Sequence, residues 1–182
     1  NGSVMIAAQR VQSLLDSYGP SRLLAAVTEI LVATERQVRR FISQWPDGVY
    51  RGESMVDDDG FENKLVPIRA TVTIAGETMT IDLSESSPQV TGFINSAYAN
   101  TRSLAHAAIM FLAPADVAKN EGSMRPVKVI APKGLVVNAN PPAPVCMSTS
   151  HCGGEIIEAV FKALALAIPE AVTAGVSRRL RW

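Results

Sequence analysis

The sequence predicts an α+β fold, and three observations carry that reading. Apolar residues recur at helical spacing through residues 4–42, and the period changes to two from Lys64. Helical spacing then returns over 98–112 and again after 155. The expected architecture is an N-terminal helical hairpin, antiparallel β-hairpins, and further helices packed on the sheet.

The elements follow in order. Val4, Ala7, Ala8, Val11, Leu14, Leu15 and Tyr18 form the first stripe, which Gly19-Pro20 stops. Ser21 is placed to cap a second helix with Leu24, Val27, Ile30, Leu31, Val38 and Ile42 on one face, giving a hairpin over 4–43. "WPDGVY" (45–50) reads as a turn. Residues 53–62 carry Glu53, Asp57, Asp58, Asp59 and Glu62 with no cation and read as a solvated acidic loop. Val66, Ile68, Ala70, Val72 and Ile74 then alternate with polar residues. After "GE" (76–77) the alternation resumes at Met79, Ile81 and Leu83, which predicts a β-hairpin. "SESSPQVTG" (84–92) is loop, and Tyr98 to Leu112 is a helix ended at Pro114. Residues 125–144 predict two short strands around Lys133-Gly134 and then a proline-rich extended stretch. Ile156, Ile157, Val160, Phe161, Leu164 and Ile168 form a last helix, closed by Pro169. The α+β part spans 64–175, and residues 1–182 read as a single domain or as a fragment of a larger one. The chain opens without Met, and "SRRLRW" follows the last pattern with no element of its own, so a piece of a longer protein is expected.

Composition narrows the function classes. At 182 residues, with 47% hydrophobic and 19% charged side chains, the chain is long enough and apolar enough to bury a core. Lys+Arg and Asp+Glu both number 17, so no charge excess points to nucleic acid or an anionic membrane. No run approaches the roughly 20 apolar residues that span a bilayer. The two cysteines make no disulfide framework, which suits a reducing cytoplasm.

Chemistry-bearing residues concentrate in three stretches. "VCMSTSHCGGEII" (145–157) holds Cys146, His151 and Cys152, which admit three readings: metal ligands, a thiolate with its base, or a helix-start loop. A structural zinc site needs four ligands, and no second pair occurs elsewhere. Cys152 at the positive end of a helix dipole has the setting of a reactive thiol, yet neighbours in sequence rarely exchange a proton. A Ser/Thr-capped helix start is favoured, with the N–H groups of Gly153 and Gly154 open to an anion. The acidic run offers hard oxygen ligands but lacks the alternating order of a calcium loop. His106 falls beside a buried stripe and reads as a hydrogen-bonded structural histidine. "IDLSESSPQVTGFIN" (81–95) runs a strand ending in Asp82 into a polar loop, and "KNEGSMRPVKVIAP" (119–132) is a second such loop, where Glu121 and Arg125 flank a glycine.

Taken together, "IDLSESSPQVTGFIN", "NEGSMRPVKVIAPKGLVVNANPPAPV" and "ALALAIPEAVTA" resemble the hydantoinase B/oxoprolinase family in order and spacing, over residues 4–175. "PDGVYRGES" and "DDDG" upstream are similar to its pattern as well. One departure is Glu85, where relatives usually have glycine. The resemblance implies a hydantoinase A-type partner that binds ATP and phosphorylates a cyclic amide such as hydantoin or 5-oxoproline. The B-type part then hydrolyses the activated ring, within a hetero-oligomer. Two alternatives share the scaffold: a subunit of an acetone/acetophenone-type carboxylase, and a non-catalytic assembly fragment. A divalent metal such as Zn or Mn is expected in the parent protein, with ligands outside this chain. The catalytic candidates are Asp82, on a position that matches the family's pattern, and His151, from the loop before the last helix. The substrate-binding candidates are Gln89, Asn95, Asn120, Arg125, Gly153 and Gly154.

Overall fold

A computed structural model describes residues 2–173. The chain runs through α1 (Gly2–Tyr18), α2 (Pro20–Ile42), β1 (Gly48–Val56), β2 (Val66–Ala75) and β3 (Thr78–Asp82). It continues through α3 (Tyr98–Leu112), α4 (Glu121–Met124), β4 (Val127–Ile130) and α5 (Gly153–Leu164), with a π-helical turn at Ser148–Cys152 leading into α5. The strands form one sheet in the order β1-β2-β3-β4. β2 runs antiparallel to both β1 and β3, and β4 lies parallel to β3. The fold is α+β, and residue 174 onward, including "SRRLRW", lies outside the described residues.

The alternation of 66–83 builds the core. Val66, Ile68, Ala70, Val72, Ile74, Met79, Ile81 and Leu83 are all buried on one sheet face, while Arg69 and the threonines point the other way. α5 lies on that buried face over β1 and β2 and packs beside α3. Its approach depends on Gly52, where a Cβ would overlap the carbonyl oxygen of Ala159 and the amide of Ala163. The C-terminal half of α2 closes the core through Val38 and Ile42.

Three sequence expectations change. β1 forms where a turn and the start of an acidic loop were expected, because its pairing with β2 runs unbroken from Gly48↔Ile74 to Val56↔Val66. Residues 125–144 give one strand, and it makes no hairpin. The segment between β3 and β4 carries α3, and such a crossover returns the chain parallel. Leu135, beside Gly134 with its φ of 86°, makes only isolated bridges, to Asn138 and to Pro88. Finally, α1 and α2 form as helices, but α1 has no buried residue. Val4, Val11, Leu14, Tyr18, Leu24 and Ile30 are exposed, so the two helices do not bury their stripes against each other.

Candidate functional site

β1 and β3 end, and β2 begins, at one end of the sheet, where loops 57–65, 83–97 and 131–147 meet. Side-chain-to-backbone bonds hold these loops. Asp59 is buried and accepts hydrogen bonds from the amides of Phe61 (2.9 Å), Glu62 (2.7 Å) and Gly92 (3.0 Å). Those donors, Glu62 N–H foremost, hold its carboxyl below the usual carboxylate range. A Cβ at Gly92 would overlap the Asp59 carbonyl, so glycine is required for the contact. Gln89 Oε1 accepts from Asn140 N–H at 2.8 Å, and Met147 N–H donates to the Phe93 carbonyl. Between these loops lies a cleft of about 220 Å³, with Asp59, Glu62, Lys64, Ser87, Gln89 and Thr91 on its walls.

Of the sequence candidates, Asp82, Gln89 and Asn95 belong to this end of the sheet, while His151 and the two glycines lie in the turn leading into α5 and at its first positions. Asp82 is half-buried at the end of β3. One oxygen accepts from Ser84 N–H at 2.9 Å, and the other has no partner among the described residues. His151 is half-buried with Nδ1 3.3 Å from Ser150 Oγ. Asn95 faces inward, against its expected place on the substrate: it is fully buried, and its amide is saturated by backbone. Oδ1 accepts from Val90 N–H at 2.8 Å. Nδ2 donates to the carbonyls of Gly92 (2.8 Å), Val90 (2.9 Å) and Pro144 (3.1 Å).

Gly153 and Gly154 stand at the first positions of α5, but not at a free helix start. The π-helical turn begins at Ser148 and runs directly into α5, so both glycines sit inside a continuous helical stretch. Gly153 is buried, and a Cβ there would meet the Leu104 side chain. Cys152 is fully buried, its thiol pKa pushed well up by burial and then by Glu155, so it is no thiolate nucleophile. Cys146 is exposed.

Asn120 and Arg125 lie elsewhere. Val127 pairs with Met79 and Ile130 with Asp82, which places these two residues beyond the opposite end of β3 from Asp82, roughly 15 Å away. Asn120 caps α4 by accepting from Gly122 N–H (2.9 Å) and donates to Thr34 Oγ1 of α2 (3.0 Å). A Cβ at Gly122 would overlap the Leu31 carbonyl. Arg125 donates to Glu35 at 3.1 Å, and Glu35 also holds Arg39 at 2.7 Å. The two guanidiniums, Arg39 first, hold the Glu35 carboxyl below its usual range. The segment therefore docks α4 onto α2.

His106 is structural, as expected. It is buried, with Nδ1 2.7 Å from the Arg102 carbonyl and Nε2 3.2 Å from those of Met124 and Val127. Sequence reasoning missed Asp59, grouped with its exposed neighbours, although the following glycine and the distant Gly92 are the only cues it offers. It also missed Ser54, which donates from β1 to Glu158 at 2.8 Å. Among the described residues no three His, Cys, Asp or Glu side chains converge as ligands, so the residues present do not fit a metal ion.

An α+β sheet with polar loops pinned at one end defines a scaffold that displays a site on loops rather than enclosing it. Residues 1–182 match the model of the hydantoinase B/oxoprolinase family along their whole length, and the chain belongs to that family. It is 35% identical over 175 residues to the caprolactamase subunit beta of Pseudomonas jessenii, covering 96% of this chain and 30% of that one. The crystal structure of the ATP-dependent caprolactamase from Pseudomonas jessenii superposes with a TM-score of 0.86 at 34% identity, over 95% of this chain and 30% of the other. An acetone carboxylase in its nucleotide-free state shares the fold, with a TM-score of 0.78 at 17% identity over 91% of this chain and 24% of that one. The chain spans less than a third of the length of these relatives.

Proposed function

We propose that these residues are part of the B-type subunit of an ATP-dependent cyclic-amide hydrolase. The observation that carries the reading is the 35% identity to a caprolactamase subunit over 96% of the chain. An unstrained ring amide is a poor electrophile, and an A-type partner that binds ATP would phosphorylate the amide oxygen. Water then adds to the activated carbon, and the ring C–N bond breaks with the proton going to nitrogen. The resulting acyl phosphate is hydrolysed by a second water to carboxylate and phosphate. Asp82, with one carboxylate oxygen unpartnered among the described residues, is the group here suited to orient or deprotonate water; His151, in the turn leading into α5 on the other face of the sheet, is not placed beside it. Gln89 borders the cleft and orients the ring. Reduced cysteines and helices too short or too polar to cross a membrane, among the described residues, are in keeping with a cytoplasmic enzyme.

Phosphate release by the native complex, given ATP with caprolactam, hydantoin, 5-oxoproline or a ketone, tests the proposal. Release driven by a cyclic amide without bicarbonate is expected. Release that needs ketone and bicarbonate together would move the protein to the carboxylases.

A further inference from the structure

We propose that the edge of β1 that no strand covers among the described residues pairs with the same edge of a second copy of this chain, joining the two sheets into one antiparallel sheet. β1 is the outermost strand, and its ladder with β2 runs from Gly48 to Val56 without a bulge or a proline. Such an edge is a ready template for another strand unless something blunts it.

The hydrogen-bonding parity can be followed from the β2–β3 turn. The two-residue loop Gly76-Glu77 closes on the pair Ala75↔Thr78, so Ala75, Thr73 and Thr71 direct their backbone groups to β3. Ile74, Val72, Ala70, Ile68 and Val66 therefore bond toward β1, through Gly48, Tyr50, Gly52, Ser54 and Val56. The N–H and C=O groups of Val49, Arg51, Glu53 and Met55 are left aimed at the open edge. The side chains of the same four residues lie on the sheet face away from α5. Val49 is 57% exposed, and Arg51 is exposed with no ion pair among the described residues.

The row Val49, Arg51, Glu53, Met55 is complementary to itself. An antiparallel pairing centred on Gly52 sets Arg51 of one copy opposite Glu53 of the other, twice, and Val49 opposite Met55, twice. It pairs residues whose backbone groups both face the edge, as the ladder demands. The two copies of Gly52 meet at the axis as a non-hydrogen-bonded pair, the closer of the two antiparallel spacings, where no side chain intervenes. The match of Arg51 to Glu53 occurs twice about the axis, and this self-complementarity is what points to a second copy. Arg69, already paired with Glu53 across β2, does not block the contact, since a carboxylate accepts from two guanidiniums.

The test is self-association of the 182-residue chain, measured by sedimentation equilibrium from low to hundreds of micromolar. Wild type should form a dimer. Arg51→Glu and Glu53→Arg each place like charges opposite one another, and each should weaken dimerisation about tenfold. Mixing the two variants restores every opposite-charge pair, so a heterodimer of wild-type affinity is expected. Val49→Pro, which removes one edge-facing N–H and no charge, should weaken the dimer independently, with unchanged far-UV circular dichroism. A chain that stays monomeric throughout overturns the proposal, as does association that ignores all three substitutions, which would place the contact on the exposed stripe of α1.

Discussion

Asn95→Ala separates a loop clamp from a substrate contact. The substitution strips the acceptor from Val90 N–H and the donor from the carbonyls of Val90, Gly92 and Pro144, at a position with no solvent exposure. Leaving a buried polar group unsatisfied costs about 1–3 kcal/mol. Counting the N–H and one carbonyl as fully lost, and the others as finding water, gives about 2–6 kcal/mol. In a chain of this size each kcal/mol moves the midpoint by roughly 2–4 °C, so thermal unfolding should shift down by at least roughly 4 °C and by up to roughly 24 °C. Asn95→Asp should not rescue it, because a carboxylate accepts from Val90 but faces three carbonyl oxygens with no proton to donate. Gln89→Ala is the control: its one bond to Asn140 N–H is exposed, water replaces it, and the midpoint should hold within about 2 °C. Circular dichroism on the 182-residue chain reads all three. An Asn95→Ala midpoint indistinguishable from wild type would refute the clamp and return Asn95 to the substrate.

Other outcomes follow from the same geometry. Gly52→Ala drives a Cβ into the backbone of α5 and should cost about 2 kcal/mol or more in urea unfolding, against a near-neutral result for Gly154→Ala, whose Cβ meets nothing. The Asp59 carboxyl sits below its ordinary 3.8, so its contribution is complete above that value and disappears as pH falls through the lower folded pKa. Asp59→Asn should flatten that acid limb, read as urea midpoints across the acid range. Under native conditions Cys146 should react with Ellman's reagent and Cys152 only after unfolding, since one is exposed and the other fully buried. Amide exchange should be nearly unprotected across α1, which has no buried residue, and slowest in β2.

The parts of the fold legible in the sequence are those where one residue type has one physical use. Period-two alternation from Val66 to Leu83 has no reading but a strand pair with one wet face, and all eight apolar positions are buried. β1 was illegible because its pattern belongs to its neighbours: Gly48 and Gly52 look like turn residues, and only the ladder of β2 and the approach of α5 make Gly52 a strand position. The asparagines failed for a related reason. An amide that binds a ligand and an amide that holds a loop are the same chemical group, and the partners that decide, Pro144 for Asn95 and Thr34 for Asn120, are far away in sequence.

That ambiguity has a direction. Asp59 with Gly92, and Asn120 with Gly122, are each a polar side chain whose bonds fix a loop, joined to a glycine where a Cβ would overlap backbone. These are motif residues through which the chain resembles its family, and their identity is already accounted for by packing and hydrogen bonding. Substitutions there should act by loosening those loops, read as a lowered unfolding midpoint. Chemistry has to be sought instead in polar groups whose hydrogen-bonding capacity the fold leaves unused, and among the sequence candidates those are Asp82, Gln89 and His151. Asp82 and Gln89 lie at the end of the sheet where the loops converge, His151 precedes α5 on the other face, and Arg125 and Asn120 lie at the far end of β3. A variant at Asp82 or His151 that keeps its unfolding midpoint while losing phosphate release in the native complex would therefore report on the reaction itself, which no variant at Asn95 or Asn120 can do.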